Sequence, residues 1–522
     1  MKMSTMLAGW ARRQGERVAA QCGADEITFA AIDAAGDRLA NALLARGLRP
    51  GDRVILYVGN SLSLFEAAAG VWKAGGVIVP VSTWIVGDEL AWMVADCRPF
   101  AVLYGAGQQR HLDRALADAP SVLRLFAGEK APPGAVALAA LAAEGAAIPP
   151  PALPPAPDDA AISYTSGTTG RPKGAIATHA NLIVHCLYAA MLWRLTRDDV
   201  FLITTPIAHR VGFSRLVQCF VMGCRVVVLP RFDAAAAVEA IERRGVTVMT
   251  GVPTVVRRLL DYLEGTDHAC ASLRAMTATG EPFPVALKRR LAARLPGVRL
   301  CSFYAMTEAG VPAALEPEEQ EAHGETVGRP TPGTEIRLLD GTGAEAAPGE
   351  AGEIAVRMGE PGRTMLIRGY FNDPEADAKA FDDDGWFRTG DIGRFDEDGY
   401  LHIVDRAKDM ILSGGLNIYS QEVERVLHLC PDVAEAAVVA GPDPEFGECV
   451  VAYIVPAGGA ACAADAVVAH CRVHLASYKK PRHVFFVDAL PRNQSGKVQK
   501  TILRDRAVAD IDAAAAREEH SG

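Results

Sequence analysis

A segment rich in glycine, serine and threonine carries the clearest chemical signal in the chain: residues 164–174, YTSGTTGRPKG. From Thr165 to Gly174 it contains four hydroxyl side chains, three glycines and Lys173. Glycine lets the backbone approach an anion closely, hydroxyl groups donate hydrogen bonds, and lysine adds a positive charge. The segment is not a Walker loop, because Gly170 is not followed by lysine and then serine or threonine. It therefore predicts a polyphosphate-binding loop, with a flexible surface turn as the alternative.

Four further motifs follow this loop, and the five together span most of the chain. They are residues 304–308 (YAMTE), 389–391 (TGD), 405–409 (DRAKD) with 413–415 (SGG), and 491–497 (PRNQSGK). In type and order they resemble the motifs of the adenylate-forming superfamily, which includes acyl- and aryl-CoA synthetases, adenylation domains of peptide synthetases and firefly luciferase. The resemblance implies an AMP-forming acid–thiol ligase. Such an enzyme activates a carboxylic acid with ATP as an acyl-adenylate and then transfers the acyl group to a thiol.

The resemblance also implies roles for single residues of the catalytic centre. Lys497 is expected to contact both the substrate carboxylate and the phosphate, where positive charge must be focused during adenylation. Thr307 is expected to donate to the α-phosphate. Glu308 is expected to bind Mg²⁺, because a hard cation on phosphates takes carboxylate and water ligands. For Lys497 the alternative is a solvent-exposed lysine beside Lys500.

Nucleotide contacts are implied in the same way. Tyr304 is expected to lie against the adenine, Asp391 to accept hydrogen bonds from the ribose hydroxyls, and Arg406 to contact the ribose or a phosphate. A turn role for Asp391 and a surface ion pair for Arg406 are the alternatives. The full set of expected ATP or AMP ligands is Thr165, Ser166, Gly167, Thr168, Thr169, Lys173, Gly280, Glu281, Pro282, Tyr304, Asp391 and Arg406.

A hinge at Lys408 is implied because one pocket must serve two reactions. Adenylation needs Lys497 inside the site, whereas thioester formation needs a tunnel for the pantetheine thiol. The tunnel is expected along Ser413, Gly414 and Gly415, where a side chain would block the pantetheine or break the backbone conformation. The alternative for Lys408 is an ordinary charged residue of a loop.

Residues 206–213 (PIAHRVGF) resemble the acyl-pocket motif, with His209 at a position where CoA synthetases often carry histidine. His209 is expected to orient the carboxylate or to gate the tunnel. No acidic residue lies between Thr204 and Phe220, which counts against an amino-acid substrate. The family usually has glycine where this chain has Ala305, and the extra methyl is expected to narrow the pocket. The expected pocket residues are His209, Val211, Phe213, Thr254, Thr279, Ala305 and Met306.

An apolar pocket wall predicts a neutral-tailed monocarboxylic acid. Arg210 and Arg215 provide the alternative, in which they pair with the second carboxylate of a diacid. Arginines exposed on a helix surface are the commoner arrangement. The identity of the acid stays open at this point.

Alternating strand-like and helix-like segments predict an α/β fold of parallel sheets covered by helices. The apolar run 54–58 precedes a helical stretch, and Asp233 and Gly245 bracket a helix before the β-branched run 246–250. An Ala/Pro-rich stretch, 131–157, is predicted as a surface connection. The resemblance implies an N-terminal domain over 1–407 with a β-barrel-like subdomain, and a small mobile α+β lid over 408–522.

Bulk properties limit the partners. At 522 residues the chain is longer than one hydrophobic core supports, so two or more domains are expected. Half of its residues are apolar, which is enough for a large buried interior. The net charge of −10 argues against a general nucleic-acid binder. Eleven cysteines without a Cys-x-x-Cys pair predict reduced core residues. No apolar run predicts a membrane span, and Arg12 and Arg13 interrupt any signal peptide, so a cytoplasmic protein is expected.

The expected substrates and cofactors are a small carboxylic acid, ATP, Mg²⁺ and CoA. Only about 25 residues follow Lys497, so no carrier domain is expected there. A stand-alone ligase that loads a separate carrier protein is the alternative. A homodimer is compatible with the sequence, and a catalytically inactive nucleotide-binding homologue is disfavoured by intact Lys497, Glu308 and Asp391.

Overall fold

The structure is a computed structural model that describes residues 1–165, 172–281, 283–414, 416–458, 462–492 and 498–521, with side chains up to residue 514. The helices are α1 Met3–Gln14, α2 Phe29–Ala45, α3 Ser63–Lys73, α4 Gly87–Cys97, α5 Gln109–Ala115, α6 Leu138–Glu144, α7 His179–Trp193, α8 Arg210–Met222, α9 Ala234–Arg244, α10 Pro253–Glu264, α11 Val285–Arg294, α12 Pro374–Ala380, α13 Ser420–Leu427, α14 Ala464–His474 and α15 Lys500–Ser521.

The strands are β1 Val18–Cys22, β2 Asp25–Thr28, β3 Arg53–Tyr57, β4 Val77–Pro80, β5 Ala101–Tyr104, β6 Leu123–Phe126, β7 Val136–Ala137, β8 Asp159–Thr165, β9 Lys173–Thr178, β10 Val200–Ile203, β11 Arg225–Val228, β12 Val248–Gly251, β13 Ala275–Ala278, β14 Arg299–Met306, β15 Gly310–Leu315, β16 Arg329–Pro330, β17 Glu335–Leu339, β18 Gly352–Arg357, β19 Phe387–Phe395, β20 Leu401–Arg406, β21 Ile411–Ser413, β22 Leu416–Ile418, β23 Val433–Asp443, β24 Gly447–Pro456 and β25 His483–Phe486. The chain forms two compact units: Met1–Ile336 with Val356–Arg388, and Arg337–Ala355 with Thr389–Gly522.

Two large sheets organise the first unit. One has the order β7-β6-β5-β3-β4-β8-β9, and only its β8–β9 pair is antiparallel. The other has the order β16-β15-β14-β13-β12-β10-β11-β1-β2, with a parallel centre from β14 to β1 and antiparallel edges. In parallel sheets, ligand sites form at the carboxyl ends of the strands. Thr165, where the predicted phosphate loop begins, is the last residue of β8 and lies at such an end.

Local sequence signals explain several elements of this unit. Asp233 caps α9 by accepting a hydrogen bond from the amide of Ala236 at 2.9 Å, as predicted. Gly245 ends the same helix with φ at +66°, a conformation that glycine adopts without the strain a side chain would bring. In the core, Trp72 of α3 packs edge-on against Phe213 and Phe220 of α8. Interlocked aromatic side chains therefore join α3 to α8.

The second unit has two sheets of its own. Most residues of the first sheet, β17-β18-β19-β20, belong to this unit, and the second sheet has the order β22-β21-β24-β23 with β25 beside β24. The predicted mixed α/β fold, with a large parallel-sheet unit and a smaller unit, is confirmed. The barrel-like character of a subdomain, the domain boundary at Lys408 and the mobility of the lid stay predictions.

The Ala/Pro-rich stretch is only partly a simple surface connection. It contains β7 and α6, and Leu141 of α6 is fully buried. Its proline-rich end, 149–157, has no assigned helix or strand. All eleven cysteines are free and nine of them are buried, which confirms the predicted core role. Within the part of the chain that the structure describes, no helix has the length and apolar character needed to cross a membrane.

Candidate active site

The ends of the predicted phosphate loop belong to one hairpin. Thr165, the last residue of β8, pairs with Lys173, the first residue of β9. The Thr165 hydroxyl donates to the backbone oxygen of Lys173 at 3.5 Å. Ser166, Gly167, Thr168 and Thr169, which form the centre of the predicted loop, lie outside the described residues.

Glu308 connects this hairpin to two other parts of the first unit. Its carboxylate oxygen Oε1 accepts a hydrogen bond from Thr165 Oγ1 at 2.9 Å and one from the Tyr370 hydroxyl at 3.5 Å. The Glu308 backbone oxygen accepts from the amide of Ile367 at 2.9 Å. Glu308 is 8% exposed, so hydroxyl donors hold its carboxylate in a mostly buried position.

Tyr370 was missed by the sequence reasoning. It forms a β-bridge with Ala175 in β9, and the Lys173 ammonium lies 5.2 Å from the centre of its ring. Burial, followed by the nearby charge of Glu308, raises the pKa of Tyr370 well above its usual range, so the phenol stays protonated and can donate. The sequence gives only a weak signal for this residue, the preceding Gly369 in a turn-like segment. Its 62-residue separation from Glu308 is bridged only by the tertiary fold.

Of the expected adenine-side residues, Gly280 and Glu281 follow β13, and Tyr304 lies within β14, the parallel neighbour of β13. The Thr279 hydroxyl donates to the Phe303 carbonyl at 3.0 Å, which ties the ends of these two strands together. Gly280 has φ at +94°, in the region that favours glycine. Beyond it, Glu281 accepts a hydrogen bond from the exposed Thr254 hydroxyl at 3.3 Å. Pro282 lies outside the described residues.

The motif at residues 304–308 begins within β14 and ends just beyond it. Tyr304 is buried, and its hydroxyl lies 3.9 Å from the sulfur of Met306. Ala305, Met306 and Thr307 are half-buried. The motif therefore runs from a buried aromatic residue to the Glu308 carboxylate at the end of one strand of the parallel sheet.

His209 stands immediately before α8 as its N-terminal cap residue, and its backbone oxygen accepts from the Phe213 amide at 2.8 Å. Val211 is half-buried. Phe213 is 1% exposed and packs against Trp72, so the structure gives this side chain a packing role in the core. The interpretation of Arg215 as a surface arginine is wrong, because it is 4% exposed. Arg210 is half-buried, with its Nε atom enclosed.

In the second unit, Asp391 and Arg406 are opposite residues of the antiparallel pair β19–β20. Arg406 Nε lies 3.0 Å from Asp391 Oδ1, and the Asp391 side chain is nearly buried while that of Arg406 is half-exposed. The Thr389 hydroxyl accepts from the Asp391 amide at 3.1 Å and donates to the Ile354 carbonyl at 2.8 Å. The TGD motif thus holds a carboxylate in a fixed position beside a guanidinium.

The predicted hinge residue lies directly after β20. The Lys408 backbone oxygen accepts from Arg504 Nη2 at 2.8 Å, and Arg504 also pairs with Asp409 at 2.9 Å. Asp405 is fully buried and accepts from the Ser420 hydroxyl at 3.0 Å, while Lys500 donates to that hydroxyl at 2.7 Å. Burial is the largest cause of the raised pKa of Asp405. The stretch around Lys408 is thus tied to α13 and α15 of the same unit.

Gly414 is the middle residue of the predicted CoA-tunnel segment, and its φ is +57°. Its amide donates to the Phe446 carbonyl at 2.9 Å, and an added Cβ would lie 3.0 Å from the Phe446 ring. Ser413 pairs with Gly447 in the adjacent strand. A larger residue at Gly414 would therefore be both strained and crowded. Gly415 and Lys497 lie outside the described residues.

Comparison with known proteins agrees with this geometry. The family model of AMP-binding enzymes matches residues 7–371, and that of the AMP-binding enzyme C-terminal domain matches residues 422–497. The chain therefore belongs to the AMP-binding enzyme family, the adenylate-forming superfamily that the motifs predicted. Its class as an acid–thiol ligase of the acyl-CoA synthetase type is confirmed.

Individual relatives cover nearly the whole chain. A feruloyl-CoA synthase from Amycolatopsis sp is 36% identical over 95% of this chain and 97% of its own length. The solved structure of ATP-bound MatB from Rhodopseudomonas palustris is 32% identical with a TM-score of 0.85, over 97% of this chain and 99% of the other. The o-succinylbenzoate CoA synthetase MenE from Bacillus subtilis, solved with the acyl-adenylate intermediate OSB-AMP, is 30% identical with a TM-score of 0.83, over 95% and 97%. These matches do not favour the carrier-protein alternative.

Proposed function

We propose that the chain carries out two half-reactions at one site. In the first, an oxygen of a carboxylic acid attacks the α-phosphorus of ATP, which forms an acyl-adenylate and releases pyrophosphate. In the second, the CoA thiol attacks the acyl carbon, AMP leaves, and the thiol proton is lost to solvent. Adenylation gives the acid a good leaving group, which a free carboxylate lacks.

The observation that carries this proposal is the meeting of Thr165, Glu308 and Tyr370 beside Lys173. Three separate segments supply two hydroxyl groups, a carboxylate and an ammonium at the carboxyl end of β8. Hydroxyl donors and a lysine fit phosphate oxygens. A single carboxylate held by donors fits a cation that takes its remaining ligands from phosphates and water. Glu308 would hold Mg²⁺, which supplies positive charge that neutralises the phosphates.

Other residues take the roles that the family motifs imply. In this proposal Tyr304 and the segment 280–282 contact the adenine side, Thr307 donates to the α-phosphate, and His209 orients the acid. Asp391 accepts hydrogen bonds from the ribose diol, supported by its nearly buried carboxylate beside Arg406. Lys497 neutralises charge during adenylation, and a rotation about Lys408 then presents the Gly414 segment to CoA.

The location and the substrates belong to the same proposal. Eleven free cysteines fit a reducing compartment, which supports a cytoplasmic enzyme. Free CoA is proposed as the thiol substrate, in line with the names of the relatives.

The two half-reactions can be separated by two variants. Lys497→Ala should slow pyrophosphate release by about 10²-fold or more, because it removes charge that stabilises the adenylation transition state. Thioester formation from supplied acyl-adenylate should stay largely intact in that variant. Gly414→Leu should give the opposite result, with a normal single-turnover release of pyrophosphate and no CoA thioester. Equal losses in both half-reactions for either variant would contradict the two-step scheme.

A further inference from the structure

Helix α8 carries two arginines whose guanidinium groups include buried nitrogen atoms with no hydrogen-bond acceptor among the described residues. Arg215 is 4% exposed, and its Nε and Nη1 atoms are buried without a hydrogen-bond acceptor. The Nε atom of Arg210 is also buried without a hydrogen-bond acceptor. A buried charge is costly unless it is paired and hydrogen-bonded. Two such cations on one helix therefore need an explanation.

No neighbouring group of the described chain supplies the missing negative charge. Burial is the largest influence on both arginines and lowers the pKa of each to about 10, so both stay protonated at neutral pH, and no carboxylate acts on either. Burial and then the two arginines lower the pKa of His185 well below its usual range, which leaves its imidazole uncharged. Burial raises the pKa of the Cys186 thiol well above its usual range and that of the Cys224 thiol to about 12, so neither is a thiolate.

The surroundings of these arginines make the electrostatic potential more positive still. Arg210 is the first residue of α8, where the helix dipole places partial positive charge. The Arg215 guanidinium carbon lies 5.3 Å from the centre of the Phe201 ring, a contact that stabilises a cation without neutralising it. An anion would relieve all of these contributions at once.

The arginines adjoin the predicted acyl pocket. Arg210 directly follows His209, which the motif places beside the substrate carboxylate. The shared neighbour His185 also lies next to Gly310, since a Cβ added to Gly310 would be 3.0 Å from His185 Cδ2. Gly310 is in turn paired with Met306 at the end of β14. His185 therefore links the uncompensated charge to Met306 and Gly310, at the strand end where the acyl tail is expected.

We propose that Arg210 and Arg215 bind a second carboxylate on the acyl tail, so that the substrate is a dicarboxylic acid. This proposal rests on the proposed function and replaces the expectation of a neutral-tailed acid. Guanidinium groups bind carboxylates through paired N–H donors, which would satisfy the buried Nε and Nη1 atoms of Arg215. Free enzyme keeps these donors unpaired, and the substrate supplies their acceptors.

The test compares each diacid with its own monomethyl ester. Straight-chain and aromatic dicarboxylic acids of three to about ten carbons are assayed for AMP formation with MgATP and CoA, beside esters that carry one charge fewer. The purified protein should prefer the best diacid over its monoester by about 10²-fold in kcat/KM, as expected for a buried charge pair. Arg215→Met should abolish that preference, mainly through a higher KM for the diacid, and Arg215→Lys should retain part of it.

Arg294→Met is the matched control. Arg294 is a half-buried arginine of α11 whose Nη2 donates to the carbonyls of Leu263, Thr266 and His268. Its loss should lower the melting temperature and leave the ratio of diacid to monoester unchanged. If Arg215→Met does not fold, as judged by circular dichroism, Arg210→Met is used for the same comparison.

The outcomes separate the inference from the function on which it rests. A preference of the unmodified protein for monoesters, or a diacid preference that survives both arginine substitutions, would overturn the dicarboxylate proposal alone. Equal losses with diacid and monoester would show that the arginines bind the reacting carboxylate, which also overturns it. A folded protein that forms AMP from no acid in the panel would overturn the proposed function and this inference together.

Discussion

Two buried cations of the first unit, Lys73 of α3 and Arg215 of α8, have opposite surroundings. The Lys73 ammonium lies 2.6 Å from a carboxylate oxygen of Asp37 and 2.6 Å from one of Asp33, and it also donates to the Asp33 backbone oxygen at 2.8 Å. No carboxylate of the described residues forms an ion pair with Arg215, and two of its nitrogen atoms lack hydrogen-bond acceptors. One cation is neutralised by its own fold and the other is not.

The difference teaches how to separate structural charge from functional charge. A cation that the fold itself neutralises contributes to stability, because its loss leaves carboxylates buried without a partner. A buried cation without a partner destabilises the free protein, and a ligand of opposite charge explains why the sequence contains it. Replacement by methionine should therefore lower the stability of the protein at Lys73. At Arg215 the same replacement should change the substrate preference and leave the stability intact.

The largest effect on stability is expected for Lys73→Met. Removal of the ammonium leaves the Asp37 carboxylate, which is 6% exposed, without its counter-charge, and should lower the free energy of unfolding by about 3–5 kcal/mol. Unfolding in guanidinium chloride measures this change in free energy. Lys130→Met, at an exposed position, serves as the control and should stay within about 0.5 kcal/mol. A loss no larger than that of the control would show that solvent already screens the Lys73 cluster.

A smaller effect is expected for Glu308→Gln, on the activation free energy of adenylation and not on the free energy of unfolding. The amide keeps the shape of the side chain and can still accept from Thr165 and Tyr370, so the fold should persist. The rate of adenylation should fall by about 10²-fold, or roughly 2.7 kcal/mol, because the charge that would hold the metal is lost. Single-turnover pyrophosphate release measures the rate. The control is Glu335→Gln, which removes an exposed ion pair with Arg357 and should leave the rate of pyrophosphate release unchanged. An unchanged rate in Glu308→Gln would show that the Glu308 carboxylate is not part of the active site.

The smallest effect is expected for the free energy of unfolding of Arg215→Met. This measurement distinguishes the two cations most clearly. Replacement of an uncompensated buried cation by an apolar side chain should leave the free energy of unfolding unchanged or raise it by about 1 kcal/mol. Denaturation of the ligand-free protein is the measurement. A loss as large as that of Lys73→Met would mean that the fold does compensate Arg215, and the distinction between the two cations would fail.

The sequence predicted those parts of the molecule that local signals determine. Asp233 and Gly245 marked a helix correctly, because capping and the left-handed backbone of glycine act over a few residues. The five motifs, taken in order, identified the family because the residues of each one lie close together in the chain. The roles that the resemblance assigns to Glu308, Asp391 and Arg406 remain proposals to be tested by substitution.

Two features could not be read from local signals. Tyr370 reaches Glu308 only because residues 370 and 371 bond to β9, and no periodic pattern encodes that contact. Arg215 was interpreted as a surface residue because arginines on helices usually are. In the structure every residue of α8 from Gly212 to Met222 is buried, polar residues included, and only the tertiary fold produces that burial.

The most direct test of the central claim is acid-dependent exchange of labelled pyrophosphate into ATP in the absence of CoA, followed by addition of CoA. We expect exchange only when a carboxylic acid is present, and then one AMP released for each thioester formed once CoA is added. Release of ADP and phosphate, or exchange that does not depend on the acid, would contradict the assignment of this chain as an AMP-forming acid–CoA ligase.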